Sequence, residues 1–116
     1  VAGGKWPFLS YWQLAIGARG LYHVHALLGN KHAKERADAI AKVVTAGHEL
    51  RGGVWWLPYA ANANNPKEVE WGFSNWATWA LPAVQLGPQT KQAKAIVAAA
   101  KKVQKAEPAA AGWLVR

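Results

Sequence analysis

Two Leu-Gly pairs, Leu28-Gly29 and Leu86-Gly87, constrain this chain more than any other feature, because each parts an aromatic segment from an Ala/Lys-rich one. From Phe8 to Leu28 the residues Leu9, Trp12, Ile16, Val24 and Leu27 recur at helical spacing. Leu14, Leu21 and Leu28 lie on a neighbouring side, so the spacing predicts a helix buried on most sides. Gly17 and Gly20 each weaken an isolated helix by about 1 kcal/mol relative to Ala. One turn apart, they also let a second backbone come close. Gly29-Asn30 has the chemistry of a helix C-terminal cap.

The next stretch, Lys31 to Leu50, carries Ala33, Ala37, Ile40, Val44 and Gly47 along one inner stripe. Lys34, Asp38, Lys42 and Glu49 lie away from it, with Lys34/Asp38 and Asp38/Lys42 at i,i+4 spacing. This predicts an amphipathic helix packed on its predecessor. A third helix is expected after a cap at Ser74 or Asn75, carrying Trp76, Trp79, Ala80, Ala83 and Leu86, with Pro82 kinking or shortening it. A fourth, from Pro88 to Ala106, buries Ala93, Ile96, Val97, Ala100 and Val103 and turns Lys91, Lys94, Lys101 and Lys105 outward. Both halves exit through Gly and Trp, at Gly53-Val54-Trp55-Trp56 and at Gly112-Trp113-Leu114.

Between the halves, Arg51 to Asn75 holds Gly52-Gly53, Pro58, Asn62, Asn64-Asn65-Pro66 and Gly72, all turn residues. Trp55, Trp56, Tyr59, Trp71 and Phe73 argue against disorder, which is aromatic-poor. The expectation is therefore an all-α chain of four helices, forming two stacked helical hairpins (8–50 and 76–116) in one domain spanning 1–116. A long, ordered, aromatic-rich loop (51–75) joins them, with a short extended stretch at 54–57.

Composition narrows the function classes. Hydrophobic residues make up 52% and charged residues only 17%, against about 25% charged in an average domain. Part of the surface is therefore expected to be covered. Fourteen Lys and Arg against six Asp and Glu give a net charge of +8, which favours polyanions. The absence of Cys removes disulfides, thiol nucleophiles and Cys-based metal sites. His23 and His25 diverge by about 200° on a helix and cannot chelate one ion, so no metal is expected. No cofactor is expected either. The chain starts at Val1, as a processed protein or an excised segment does. No apolar run approaches the roughly 20 residues of a membrane span. A soluble or peripheral protein is expected, with export or a place in an extracellular particle left open.

Paired helices turning at Leu-Gly, with Gly-Trp exits between them, resemble segments of α/α-toroid proteins, among them polysaccharide lyases, glycosidases and helical-hairpin parts of bacteriophage particles. A complete toroid has about three times as many hairpins. The resemblance implies a carbohydrate-directed or particle-building role. Toroid lyases employ Asn, His, Tyr and Arg, so it implies His48, Arg51, Tyr59 and Asn62 as catalytic candidates, with Asn64 and Asn65 nearby.

The residues themselves offer two further sites. Trp55, Trp56, Tyr59 and Trp71, with Trp76 and Trp79, could stack sugar rings or bases. Their other role is to pack the loop onto the helices. Lys91, Lys94, Lys101 and Lys105 form a stripe suited to phosphates or glycan carboxylates, or simply a solvated face. Glu68 and Glu70 share one side of an extended segment but lack the cross-bond separation of a glycosidase pair. The reading that best joins these features is a non-catalytic interaction or structural subunit of a larger assembly, in a homo-oligomer, filament or virion-type complex. The alternative is a glycan-binding or acidic-polysaccharide-cleaving toroid fragment, and a basic nucleic-acid-binding accessory comes third.

Overall fold

The computed structural model describes residues 8–71 and 75–106. A short strand, β1 (Phe8–Ser10), runs directly into α1 (Tyr11–Leu28). At the end of α1, Gly29 adopts φ +64° and donates its N–H to the His25 carbonyl at 2.8 Å. Glycine takes this left-handed conformation without steric cost. Asn30 then caps α2 (Lys31–Ala46), its Oδ1 accepting the Ala33 N–H at 3.1 Å.

The α1/α2 seam is built from small residues and tyrosines. Tyr11, Ala15, Ala18 and Tyr22, spaced i, i+4, i+7 and i+11, pack with Ala37, Ala41 and Val44. The Tyr22 hydroxyl donates to Asp38 Oδ1 at 2.5 Å. The Tyr11 ring lies so close to the end of α2 that a Cβ on Gly47 would sit 2.6 Å from it.

The segment after α2 corrects the expectation of an all-α chain. Instead of one long loop, it builds two antiparallel sheets, one of them with β1. β2 (Glu49–Arg51) pairs with β3 (Val54–Trp56), matching Glu49 to Trp56 and Arg51 to Val54. Gly52 and Gly53 join them at φ +54° and +81°, a two-residue turn whose twist matches its strands. β4 (Ala60–Asn62) pairs with β1 on one side and with β5 (Asn65–Glu70) on the other, giving the order β1-β4-β5. The Asn64 N–H is held by Asn62 Oδ1 at 2.9 Å within the β4–β5 turn, and the ladder slips between Ala61 and Asn62. Every residue of β5 is exposed, as suits an edge strand that contains Pro66. The architecture is mixed α and β. Among the described residues, four of the five strands are three residues long, too short for alternation to show, so their turn chemistry reads as loop.

Helix α3 (Ala77–Leu86) follows, with Pro82 inside it, and α4 (Lys91–Ala106) completes the described chain. One side chain sets the entry to α3. Asn75 Oδ1 accepts the N–H groups of Ala77 and Leu57, both at 3.0 Å, and Asn75 Nδ2 donates to the Trp55 carbonyl at 2.7 Å. The end of β3 is thereby tied to the start of α3.

The four helices do not form two equivalent stacked pairs. Ala80 and Ala83 of α3 enter the same core as α1, α2, Leu57 and Ala61. Leu81 and Val84, on another side of α3, meet Ala93 and Ile96 of α4, with Trp55, Val97 and Ala100 packed against them. A Cβ on Gly87 would lie 2.6 Å from the Ala41 Cβ, so this glycine permits close approach between α2 and the end of α3. The two Leu-Gly pairs thus serve different ends. Among the described residues, no helix is long and apolar enough to cross a membrane. The lead-in before Phe8, Gly72, Phe73, Ser74 and the exit at Gly112-Trp113-Leu114 lie outside the described residues.

Candidate functional site

The structure divides the six aromatic residues of the expected platform among three places. Trp56 and Trp71 meet edge to face, with ring centroids 6.4 Å apart. The Arg51 guanidinium lies 3.9 Å from the Trp71 centroid and 6.0 Å from that of Trp56, and it bonds Glu49 at 3.1 Å. Trp55, on the opposite face of β3, packs against the α3/α4 core. Tyr59 and Trp76 tilt against each other at 5.3 Å and gather with Trp79 beside α1.

Each catalytic candidate has its own surroundings. His48 is buried; its Nδ1 donates to the Val44 carbonyl at 2.9 Å, and Nε2 has no partner among the described residues. Burial pushes its pKa below the ordinary 6.5. Arg51 is engaged by Glu49 and Trp71, and Tyr59 lies against Trp76. Asn62 donates to Glu68 at 3.1 Å, and Glu68 also accepts from Asn65 at 3.2 Å. The four candidates thus engage four different sets of neighbours. Lys91, Lys94 and Lys101 are exposed along the outer side of α4; the Lys105 side chain lies outside the described residues. No group of three or more His, Asp or Glu among the described residues is arranged to hold a metal.

The most distinctive surface belongs to α1. Its buried side is made of Tyr11, Ala15, Ala18 and Tyr22, with Leu14 and Leu21 packed at the edge of the core, whereas Ile16, Val24, Leu27 and Leu28 are exposed. Ile16 is 59% exposed, Leu27 82% and Leu28 76%. Helical spacing puts Trp12, Ile16, Gly20, His23 and Leu27 on one strip, flanked by Gly17, Arg19 and Val24. A Cβ at Gly17 or Gly20 would meet nothing within 4 Å.

At its N-terminal end this strip opens into a cleft of about 500 Å³, walled by Trp12, Ile16, Arg19, Tyr59, Trp76 and Trp79. α1 supplies one wall and the start of α3 the other, with Tyr59 held between them through its carbonyl, which accepts the Tyr11 N–H at 3.1 Å. Trp79 is 55% exposed at the rim. Sequence reasoning placed Tyr59, Trp76 and Trp79 together but left out Trp12, Ile16 and Arg19. The missing signal is the Tyr/Ala stripe of α1, which marks its inner side and leaves Ile16 and Leu27 outward. No protein-family model, no curated protein and no solved structure matches this chain.

Proposed function

We propose that this protein is a non-catalytic subunit of a larger assembly, working by contact through the outward side of α1. One observation carries the reading: a helix that buries alanines and tyrosines while exposing Ile16, Leu27 and Leu28. Isolated apolar residues are normal on a surface. A continuous strip beside an aromatic cleft is the pattern of an interaction site, where aromatic and Arg residues concentrate binding energy. The low charged fraction points the same way.

The test is the mass of the purified protein in solution, by light scattering behind size exclusion, over a wide range of concentration. Growth beyond the monomer is expected. A monomer at every concentration would overturn the reading.

The cleft itself favours a second reading, the binding of a glycan ring. Its walls offer four aromatic faces and one cation, Arg19, suited to a sugar bearing a carboxylate. Titration with acidic oligosaccharides, followed by tryptophan fluorescence, distinguishes this from assembly. Saturable quenching that is lost in Trp79→Ala would support it, and an unchanged spectrum would remove it.

A further inference from the structure

We infer that the partner of this surface is a second copy of the same chain, with α1 packed antiparallel on α1 across a twofold axis near Gly20. The inference rests on the assembly reading and specifies its geometry. Twofold contacts are self-complementary: if residue i of one copy meets residue j of the other, then j also meets i. The strip has the order of features such a contact needs. A hole, the aromatic cleft, lies at its start beside Trp12 and Ile16. A knob, Leu27, stands exposed near its end. Gly20 lies between them, eight residues after Trp12 and seven before Leu27.

At about 1.5 Å of rise per residue, these separations are about 12 Å and 10 Å along the axis. An antiparallel copy centred on Gly20 therefore brings its Leu27 to the mouth of the cleft, and the exchange occurs twice. The two backbones meet at Gly17 and Gly20, where the space beside each glycine is open. Small residues at a helix crossing permit this approach.

The exposed area and the low charge of α1 bear on this occupant. At roughly 200 Å² of surface per large side chain, the exposed parts of Ile16, Leu27 and Trp79 supply roughly 400 Å²; Leu28 is turned about 100° from Leu27 and lies off the strip. Val24, the glycines, Arg19 and His23 extend the strip toward the roughly 800 Å² per partner of a stable interface. Arg19 is the one Lys, Arg, Asp or Glu residue in α1. A partner recruited by charge would find the lysines elsewhere, on α2 and α4. Two copies joined at α1 keep those lysines out of the contact. The axis at Gly20 also sets the two Arg19 side chains beside each other, and this like-charge repulsion, with that of the lysines, is screened by salt, so added salt should tighten the pair.

The experiment measures solution mass against concentration, at low and high salt, for the wild type and four variants. The wild type should move from monomer to a closed dimer, more readily at high salt. Leu27→Glu should weaken the dimer at least about thirtyfold, as expected for an interface hot spot. Gly20→Leu should do the same while the monomer stays folded, because its side chain enters open space; a thermal melt checks that point. Leu50→Glu, an exposed position on β2, should leave the dimer unchanged. Gly20→Cys gives a positive reading in a chain with no other Cys, because oxidation should link the two copies at the axis. A wild-type oligomer untouched by Leu27→Glu and Gly20→Leu would overturn the α1 pairing and leave the assembly reading standing. Mass that grows without limit would overturn the twofold closure. A monomer throughout would overturn both.

Discussion

Tyr22 and Asp38 join α1 to α2 through a 2.5 Å hydrogen bond from hydroxyl to carboxylate, and Lys34 holds the other carboxylate oxygen at 2.9 Å. The Tyr22 bond, helped by Lys34, keeps the Asp38 carboxyl below its ordinary 3.8. Burial first, and then the same bond, pushes the Tyr22 hydroxyl up. A carboxyl lowered in the folded state adds stability above pH 3.8 that is lost as pH falls through its folded value. Tyr22→Phe should cost about 1–2 kcal/mol at neutral pH. It should also flatten the loss of stability in acid, as read from urea midpoints below about pH 5.

His48 should produce a separate transition at higher pH. The Val44 carbonyl can only accept, so the neutral imidazole carries its proton on Nδ1 and buries a bare Nε2. The folded pKa lies below 6.5, so the unfolded chain takes up the proton first as pH falls. Stability from this residue is complete above pH 6.5. It declines below that by at most about 1.4 kcal/mol per pH unit until the folded value is passed. In His48→Gln that slope should disappear from denaturation curves taken between about pH 7 and pH 5.

Asn75 holds two separate elements with one amide. Asn75→Ala strands the N–H groups of Leu57 and Ala77 and the Trp55 carbonyl. A loss of about 2–3 kcal/mol is expected, more than an ordinary cap. Asn75→Asp keeps both accepting contacts and loses only the donated one, so it should fall between alanine and wild type in a thermal melt.

Two glycines should respond in opposite directions. At Gly47 an added methyl meets the buried Tyr11 ring at 2.6 Å, so Gly47→Ala should destabilise by about 1–3 kcal/mol. At Gly17, inside α1, nothing lies within 4 Å. In the monomer, at low protein concentration, Gly17→Ala should therefore gain up to about 1 kcal/mol from helix propensity. Guanidinium denaturation of the two variants checks both signs.

Arg51 tests whether stacking or charge holds the β2–β3 hairpin against Trp71. Its flat guanidinium lies over the indole, a geometry that a lysine ammonium does not reproduce. Arg51→Lys should lose most of an interaction of about 0.5–1 kcal/mol. Tryptophan emission should shift with it.

How much of this was legible in the sequence depended on scale. The cap at Gly29-Asn30 is readable from residue type alone, and the amphipathic pattern of α2 because it extends over several helical turns. The β2–β3 hairpin was missed although Gly52-Gly53, between Glu49-Leu50-Arg51 and Val54-Trp55-Trp56, is a hairpin signal. The aromatic residues around it suggest an ordered loop, which places an extended stretch at 54–57 but gives it no partner. α1 failed differently. Its apolar residues surround the whole helix, so hydrophobicity alone could not say which side faces the core. Size decided it: the alanines fit the close seam with α2, and the larger Ile16 and Leu27 did not. The cleft draws its walls from residues 12 to 79, a convergence that no local pattern shows.

The sheet order β1-β4-β5 also orders the folding of the chain. Ser10 pairs with Ala60, so closing β1 onto β4 spans fifty positions that include both α1 and α2. The α1/α2 pair turns through Gly29 and Asn30 and needs only nearby contacts, whereas the β1–β4 ladder must wait for the larger entropic cost of its closure. Helices that pair first shorten the distance that Phe8–Ser10 and Ala60–Asn62 must close. Lengthening the connection between α1 and α2 should therefore slow the pairing of the helices directly and delay the sheet only through them.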